Sequence, residues 1–175
     1  MASEVRLRRA EAGDEKILAY IQSESWKSAF GGILSPKVLA QYTDIARLEA
    51  MYANVLRQDE IHVMIELVAE KPHCIAAWSK SRDKACGDAA ELICIHSLES
   101  GRRRGYGSVV LQKVLEEMED AGYARAILWV FAENTAARSF YEKHGFQKTD
   151  RSQNNYGSVE VMYEKNKKPC LSNVI

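Results

Sequence analysis

A strand, a glycine-bearing turn and a helix follow one another without a break between Leu92 and Met118, and this juxtaposition limits the possible folds more than any other feature. The apolar run Leu92-Ile93-Cys94-Ile95 reads as a buried strand, and Val110, Leu111, Val114, Leu115 and Met118 keep a helical period. Between them lies Arg102-Arg103-Arg104-Gly105-Tyr106-Gly107-Ser108. The turn therefore delivers the chain into a helix N-terminus, where unpaired N–H groups and aligned peptide dipoles favour negative charge. Gly105 and Gly107 remove side chains that would hold a phosphate off those N–H groups, and three arginines add cationic charge. The combination predicts a pyrophosphate seat.

It is not a dinucleotide-binding turn, because Val110 stands where G-x-G-x-x-G needs its third glycine. No G-x-x-x-x-G-K-[ST] run occurs either. A nucleic-acid patch is disfavoured, since 24 basic residues are balanced by 24 acidic ones.

Downstream lies Asn134-Thr135-Ala136-Ala137-Arg138-Ser139-Phe140-Tyr141-Glu142-Lys143-His144-Gly145-Phe146, or N-x-x-A-x-x-F-Y-x-x-x-G-F. Asn134 suits an N-cap and Gly145 a C-terminal stop, which predicts a short helix with Ala137, Phe140 and Tyr141 on one face. Residues 125–131 ahead of it read as a buried strand.

Together these two segments resemble the GCN5-related N-acetyltransferase (GNAT) superfamily, closely over residues 90–146 and elsewhere in the order of elements. The resemblance implies an α/β (α+β type) fold with a central mixed, mostly antiparallel twisted sheet of six to seven strands flanked by about four helices. It implies an acetyl-CoA-dependent N-acetyltransferase using acetyl-CoA as co-substrate, with transfer directly to a primary amine of a small molecule or an exposed protein amine. Arg102, Arg103, Arg104, Gly105, Tyr106, Gly107 and Ser108 then correspond to the pyrophosphate loop. Ile95, His96 and Ser97 end the strand that pairs with the pantetheine arm, and an N–H of Ile95 or a neighbour would meet the thioester oxygen. Asn134 matches a coenzyme-contacting asparagine, and Tyr141 the general acid toward the departing thiolate.

Glu91 matches the base glutamate of histone-acetylating members. Period-2 alternation puts Glu91, Ile93 and Ile95 on one face, about 13 Å end to end, and turns His96 away from Glu91 unless a bulge intervenes. Another branch, acetylating protein N-termini, carries its base five residues before the asparagine, where this chain has Trp129. His62, His73 and His144 read as structural. On the acceptor side the segment from Trp26 to Pro36 resembles the W-x-x-A-[YF]-x-G-[IL] region of many small bacterial relatives. Trp26, Phe30 and Tyr156 are the candidate substrate residues, with Tyr42 and Trp78 in corresponding pieces. A non-catalytic acyl-CoA-binding sensor stays open as the alternative.

The remaining chain reads as one domain over residues 1–165 and a tail over 166–175. A first strand holds Val5 and Leu7, followed by a helix over 14–30 stopped by Gly31-Gly32. Ser35 and Pro36 open a short helix, and a further one runs from Thr43 or Asp44 to about Arg57. Strands over 62–68 and 73–80 flank a turn at Glu70-Lys71-Pro72, a polar loop fills 82–89, and final strands over 146–151 and 158–164 flank a bend at 153–157. The four cysteines show no disulfide or metal-ligand spacing, so no metal is expected. No apolar stretch approaches ~18 residues, and the N-terminus has no signal-peptide core. Cytoplasmic localisation, with neither nucleic acid nor membrane as partner, is the expectation; a homodimer is compatible with all of this.

Overall fold

The computed structural model describes residues 4–167. Its elements run β1 (Val5–Arg9), α1 (Glu15–Phe30), α2 (Pro36–Tyr42), α3 (Ile45–Val55), β2 (His62–Val68), β3 (Lys71–Lys80), β4 (Ala90–Ser97), α4 (Tyr106–Asp120), β5 (Arg125–Phe131), α5 (Thr135–Lys143), β6 (Gln147–Asn155) and β7 (Ser158–Asn166). The seven strands form one sheet in the order β1-β2-β3-β4-β5-β7-β6. Every neighbouring pair is antiparallel except β4 and β5.

Local chemistry sets the helix starts. Ser35 Oγ accepts from the Val38 N–H at 3.3 Å with Pro36 in the first turn, and Asp44 Oδ1 accepts from the Arg47 N–H at 2.8 Å. Asp14 precedes α1 without capping it. Its carboxylate is instead gripped by both terminal nitrogens of Arg8, at 2.6 and 2.8 Å. That contact lowers the Asp14 acid below its usual range.

Helices cover both faces of the sheet. Val110, Leu111, Val114 and Met118 of α4 pack with Tyr141 of α5 on Cys74, Ala76, Trp78, Leu92 and Leu128. On the other face Leu18 and Ile21 of α1 and Leu48 and Tyr52 of α3 meet Val63, Ile65, Ile75 and Ala77. Strands covered on both sides need apolar residues at every position, so β2 and β3 read as continuous rather than alternating runs. Each fully buried aliphatic side chain is worth about 1.5–3 kcal/mol against exposure. Trp78 belongs to the α4 face, its Nε1 donating to Glu117 at 3.0 Å, and takes no part in the acceptor region.

Two hairpins are tighter than their sequences suggest. β3 starts at Lys71, leaving Ala69 and Glu70 as a two-residue turn with φ of 49° and 61°. Gln153 and Asn155 belong to β6, and the bend is Tyr156-Gly157 with φ of 53° and 81°. Lys165 and Asn166 extend β7 by pairing with Ala126 and Arg125, so the strand takes up the first residue assigned to the tail. The rest of the tail, from residue 168, lies outside the described residues, as does Cys170.

Candidate active site

Two irregularities of the sheet shape the site. β4 and β5 pair only through three residue couples, Ala90–Ala126, Glu91–Ile127 and Leu92–Leu128, and diverge beyond them. Residues 93–97 of β4 thus present a main-chain edge with no β5 partner. β4 also carries a bulge: Cys94 stands opposite Ala77 and Leu92 opposite Trp78, so Ile93 has no partner on β3. Alternation is therefore reset at Ile93. Ile95 falls on the α4 face with Ala76, while Cys94 and His96 fall on the α1 face with Ala77 and Ile75. The expected grouping of Glu91 with Ile95 is corrected: Glu91 shares its face with His96.

The divergence opens a cleft of about 1430 Å³. At one end lies the turn into α4, and Arg102, Arg103, Gly105, Tyr106, Gly107 and Ser108 line it. Hydrogen bonding to the Gly105 carbonyl begins with the N–H groups of Ser108 (3.0 Å) and Val109 (3.4 Å). The N–H groups of Tyr106 and Gly107, ahead of them, have no main-chain partner among the described residues. Gly105 has φ 86°, which disfavours any side chain. At Gly107 a Cβ would meet only the Phe140 ring at 3.7–3.8 Å, an ordinary contact, so protein packing does not demand glycine there. Arg104 is exposed and does not line the cleft, unlike its two neighbours.

Sequence reasoning missed what holds this turn up. Gly101 is buried, and a Cβ on it would fall 1.9 Å from His73 Nε2. His73 is the unpaired residue of a bulge between β2 and β3, and its Nδ1 lies 3.2 Å from Oε2 of the fully buried Glu66. The Tyr106 ring stands edge-on to the same imidazole at 5.1 Å. A histidine read as merely structural is thus the floor beneath the anion-seeking turn. No local pattern marks it, because the partners come from three separate segments.

Along the cleft wall Ile95, His96 and Ser97 line one side and Asn134, Tyr141 and His144 the other. Asn134 Oδ1 accepts from the Ala137 N–H at 3.1 Å, capping α5 as expected. The Tyr141 ring packs among Phe140 and Phe146, and burial pushes its phenol well above the ordinary range, which keeps the proton on the oxygen. His96 is 9% exposed, and burial depresses its imidazole to about 4, so it is neutral near pH 7. His144 Nδ1 is 2.8 Å from the Phe140 carbonyl oxygen.

Glu91 is the candidate whose environment differs most from expectation. It is 3% exposed, and Arg82 donates to it three times. The Arg82 main-chain N–H and Nε reach Oε2 at 3.0 and 3.2 Å, and Nη2 reaches Oε1 at 2.6 Å. A carboxylate offers about four acceptor positions, so little capacity is left for an amine without displacing Arg82. The contacts tie residues 82–89 onto β4.

The far end is aromatic. Trp26 lies 5.1 Å from Phe30 and 5.5 Å from Tyr156, ring centre to ring centre, so the three expected substrate residues converge. Phe131 joins them at 5.0 Å from Phe30 and 6.3 Å from Tyr156. Tyr42 backs the group at 4.6 Å from Tyr156 but does not line the cleft. Arg82, Trp129, Gln153, Asn155 and Glu160 complete this end, and of these the sequence singled out only Trp129, as the residue standing where another branch carries its base. Among the described residues no cluster of three or more His, Cys, Asp or Glu side chains could hold a metal ion. None of the described helices is long and apolar enough to cross a membrane.

A mixed sheet split at its β4–β5 pair, with a helix N-terminus at the mouth of the split, frames the candidate site. The sequence pattern of the Acetyltransferase (GNAT) family matches residues 20–146, and the chain belongs to that family of N-acetyltransferases. It is 27% identical over 145 residues to a "probable N-acetyltransferase" of Mycobacterium tuberculosis, covering 82% of this chain and 80% of that protein. In fold it is similar to the PaiA N-acetyltransferase of Thermoplasma acidophilum, solved in complex with coenzyme A. The TM-score is 0.80 at 18% identity, with 93% of this chain and 99% of that one covered. It is also similar to the ribosomal-protein-S18-alanine N-acetyltransferase of Escherichia coli, with TM-score 0.71, 19% identity and coverage of 98% and 99%.

Proposed function

We propose that this chain transfers the acetyl group of acetyl-CoA directly to a primary amine, of a small molecule or an exposed protein amine, with both substrates bound together. One observation carries the reading: a single cleft runs from the bare turn before α4, past the Tyr141 side chain, to the aromatic end. In this reading the N–H groups of Tyr106 and Gly107, with Arg102 and Arg103, receive the coenzyme diphosphate. The unpartnered edge of residues 95–97 receives the pantetheine arm as a further strand would be received, and Asn134 contacts the coenzyme from the facing wall. A main-chain N–H at Ile95 or beside the bulge donates to the thioester oxygen as charge develops on it.

The neutral amine attacks the carbonyl carbon, the C–S bond breaks, and Tyr141 supplies the proton that leaves with sulfur as the thiol. The raised phenol of Tyr141 is protonated at the start of every turnover. Glu91, anchored to Arg82, serves the reaction best by fixing the loop that borders the acceptor end. Ser108 contributes through its side chain, because its N–H is already bonded to Gly105.

The test is calorimetry with acetyl-CoA on the wild-type chain and on Gly107→Glu. The variant is preferable to Gly105→Glu because Gly107 has no positive φ to disturb. Wild type should bind and the variant should not, since a carboxylate enters the diphosphate site. Equal affinities would refute the placement, and coenzyme binding without thiol release against a broad amine panel would make the chain a sensor instead.

A further inference from the structure

The acceptor end holds three carboxylates whose surroundings differ. Glu91 is matched by Arg82 at 2.6 Å, and Asp83 by Arg151 at 2.5 Å. Glu160 is matched by no cation among the described residues. It is 8% exposed, on β7, opposite Phe131 of β5 and Gln153 of β6. Its Oε2 accepts two neutral hydrogen bonds, from Gln153 Nε2 at 2.8 Å and from Asn155 Nδ2 at 3.3 Å. Its Oε1 takes no hydrogen bond from any described residue and is not fully buried, and Glu160 lines the cleft.

The rings beside it pack edge to face on one another, and all four line the cleft. Trp26 to Phe30, Phe30 to Phe131, Phe131 to Tyr156 and Tyr156 to Trp26 measure 5.1, 5.0, 6.3 and 5.5 Å between centres. Glu160 is near enough to Tyr156 to help push its phenol up, after burial and Tyr42. Other charges nearby are already engaged or absent: Arg47 lies over the Tyr42 ring at 4.6 Å, Arg82 holds Glu91, and His96 is neutral near pH 7. Aromatic faces and an unmatched, nearly buried carboxylate attract an organic cation, and both lose more from a neutral or anionic occupant than from an ammonium.

We propose that Glu160, beside the cleft-lining rings of Trp26, Phe30, Phe131 and Tyr156, receives the acceptor amine as its ammonium, and that the acceptor is a compact primary alkylamine with an apolar, arylalkyl-type body. This rests on the acetyl-transfer reading above. One ammonium proton passes to Glu160 Oε1, and the nitrogen lone pair so released forms the C–N bond. The C–S bond breaks with its electron pair on sulfur, which takes the Tyr141 proton. The second proton lost by nitrogen returns through solvent to Tyr141, and Glu160 releases its proton to water. Glu160 thus performs the deprotonation for which Glu91, held three times by Arg82, has little acceptor capacity left.

Two acceptor probes separate charge recognition from packing: phenethylamine, an ammonium near neutral pH, and benzhydrazide, a neutral nucleophile of similar size. Thiol release is followed with each. Glu160→Gln should raise the KM for phenethylamine about tenfold or more and lower its kcat, a loss about fivefold or more greater than that for benzhydrazide, with acetyl-CoA affinity within about twofold. Glu160→Asp should recover part of the loss. Equal loss with both probes, or none with either, overturns the proposal, as does a wild-type chain that binds acetyl-CoA but does not acetylate phenethylamine. A wild-type chain that binds no acetyl-CoA fails at the earlier step and refutes acetyl transfer itself. Should Glu160→Gln not fold, Glu160→Asp is assayed in its place, with the loss for phenethylamine exceeding that for benzhydrazide; equal losses with the two probes overturn the proposal.

Discussion

Tyr141 shows how much one residue's role can be read from its neighbours in the chain. The F-Y-x-x-x-G-F run places it on the inner face of α5, and the structure adds that its phenol is buried at the cleft. Tyr141→Phe keeps the ring and its contacts, so acetyl-CoA affinity by calorimetry should be unchanged. Single-turnover acetylation should slow by roughly 10²-fold, the low end for loss of a positioned acid. Loss of affinity and rate together would instead assign the ring to packing. Glu91 is the opposite case. Its alignment was legible, but its partner was not, because Arg82 arrives from a loop whose path no periodicity specifies. Glu160 was hidden further: in Ser158-Val159-Glu160-Val161 it reads as an ordinary solvent-facing charge of an alternating strand, and only the neighbouring strands and α1 show that its face is covered.

At the scale of elements, the sequence specifies starts and stops well and registers poorly. Ser35 and Asn134 each cap the helix they were expected to cap, and of Thr43 and Asp44, both open as the start of α3, Asp44 is the cap. The bulges at Ile93 and His73 left no such trace, since a bulge is a property of two strands together. Both bulges nevertheless fall beside the cleft, one turning Glu91 and His96 to a common face, the other sending His73 under Gly101. Gly101→Ala tests the second. Its methyl group would overlap the His73 ring, and relief requires lifting the turn or breaking the contact with Glu66. Stability should fall by about 1–3 kcal/mol in denaturant titrations, with acetyl-CoA binding weakened alongside. An unaffected turn would mean that His73 swings away freely.

For the whole molecule, a mixed, mostly antiparallel sheet of six to seven strands flanked by helices followed from the resemblance, whereas the strand order and the cover on both faces came only with the structure. Periodicity alone supported a mixed α/β chain, because strands buried on both faces lose the alternation that identifies them. The completed interior also sets a pH window. His96, depressed to about 4 from 6.5, gives stability that is complete above 6.5 and is lost as pH falls toward 4, because the unfolded chain then binds the extra proton. Cys74 and Cys94, raised by burial from 9 to about 12, act in the other direction: their contribution is complete below 9 and is lost as pH rises toward 12. Melting temperature should therefore plateau between about pH 6.5 and 9 and decline on both sides. Replacing His96 by Asn should flatten the acid limb, and an unchanged limb would assign it to carboxylates such as Asp14.

The split between β4 and β5 has a mechanical consequence. With only three couples joining them, the sheet is two plates meeting at a short seam, and α4 together with α5 acts as the splint across it. Rigidity at the seam is then supplied by side chains from both plates gripping one helical brace rather than by backbone rungs. A cavity cut into that brace, at Leu111 or Val114, would loosen the jaw even though it touches nothing inside it.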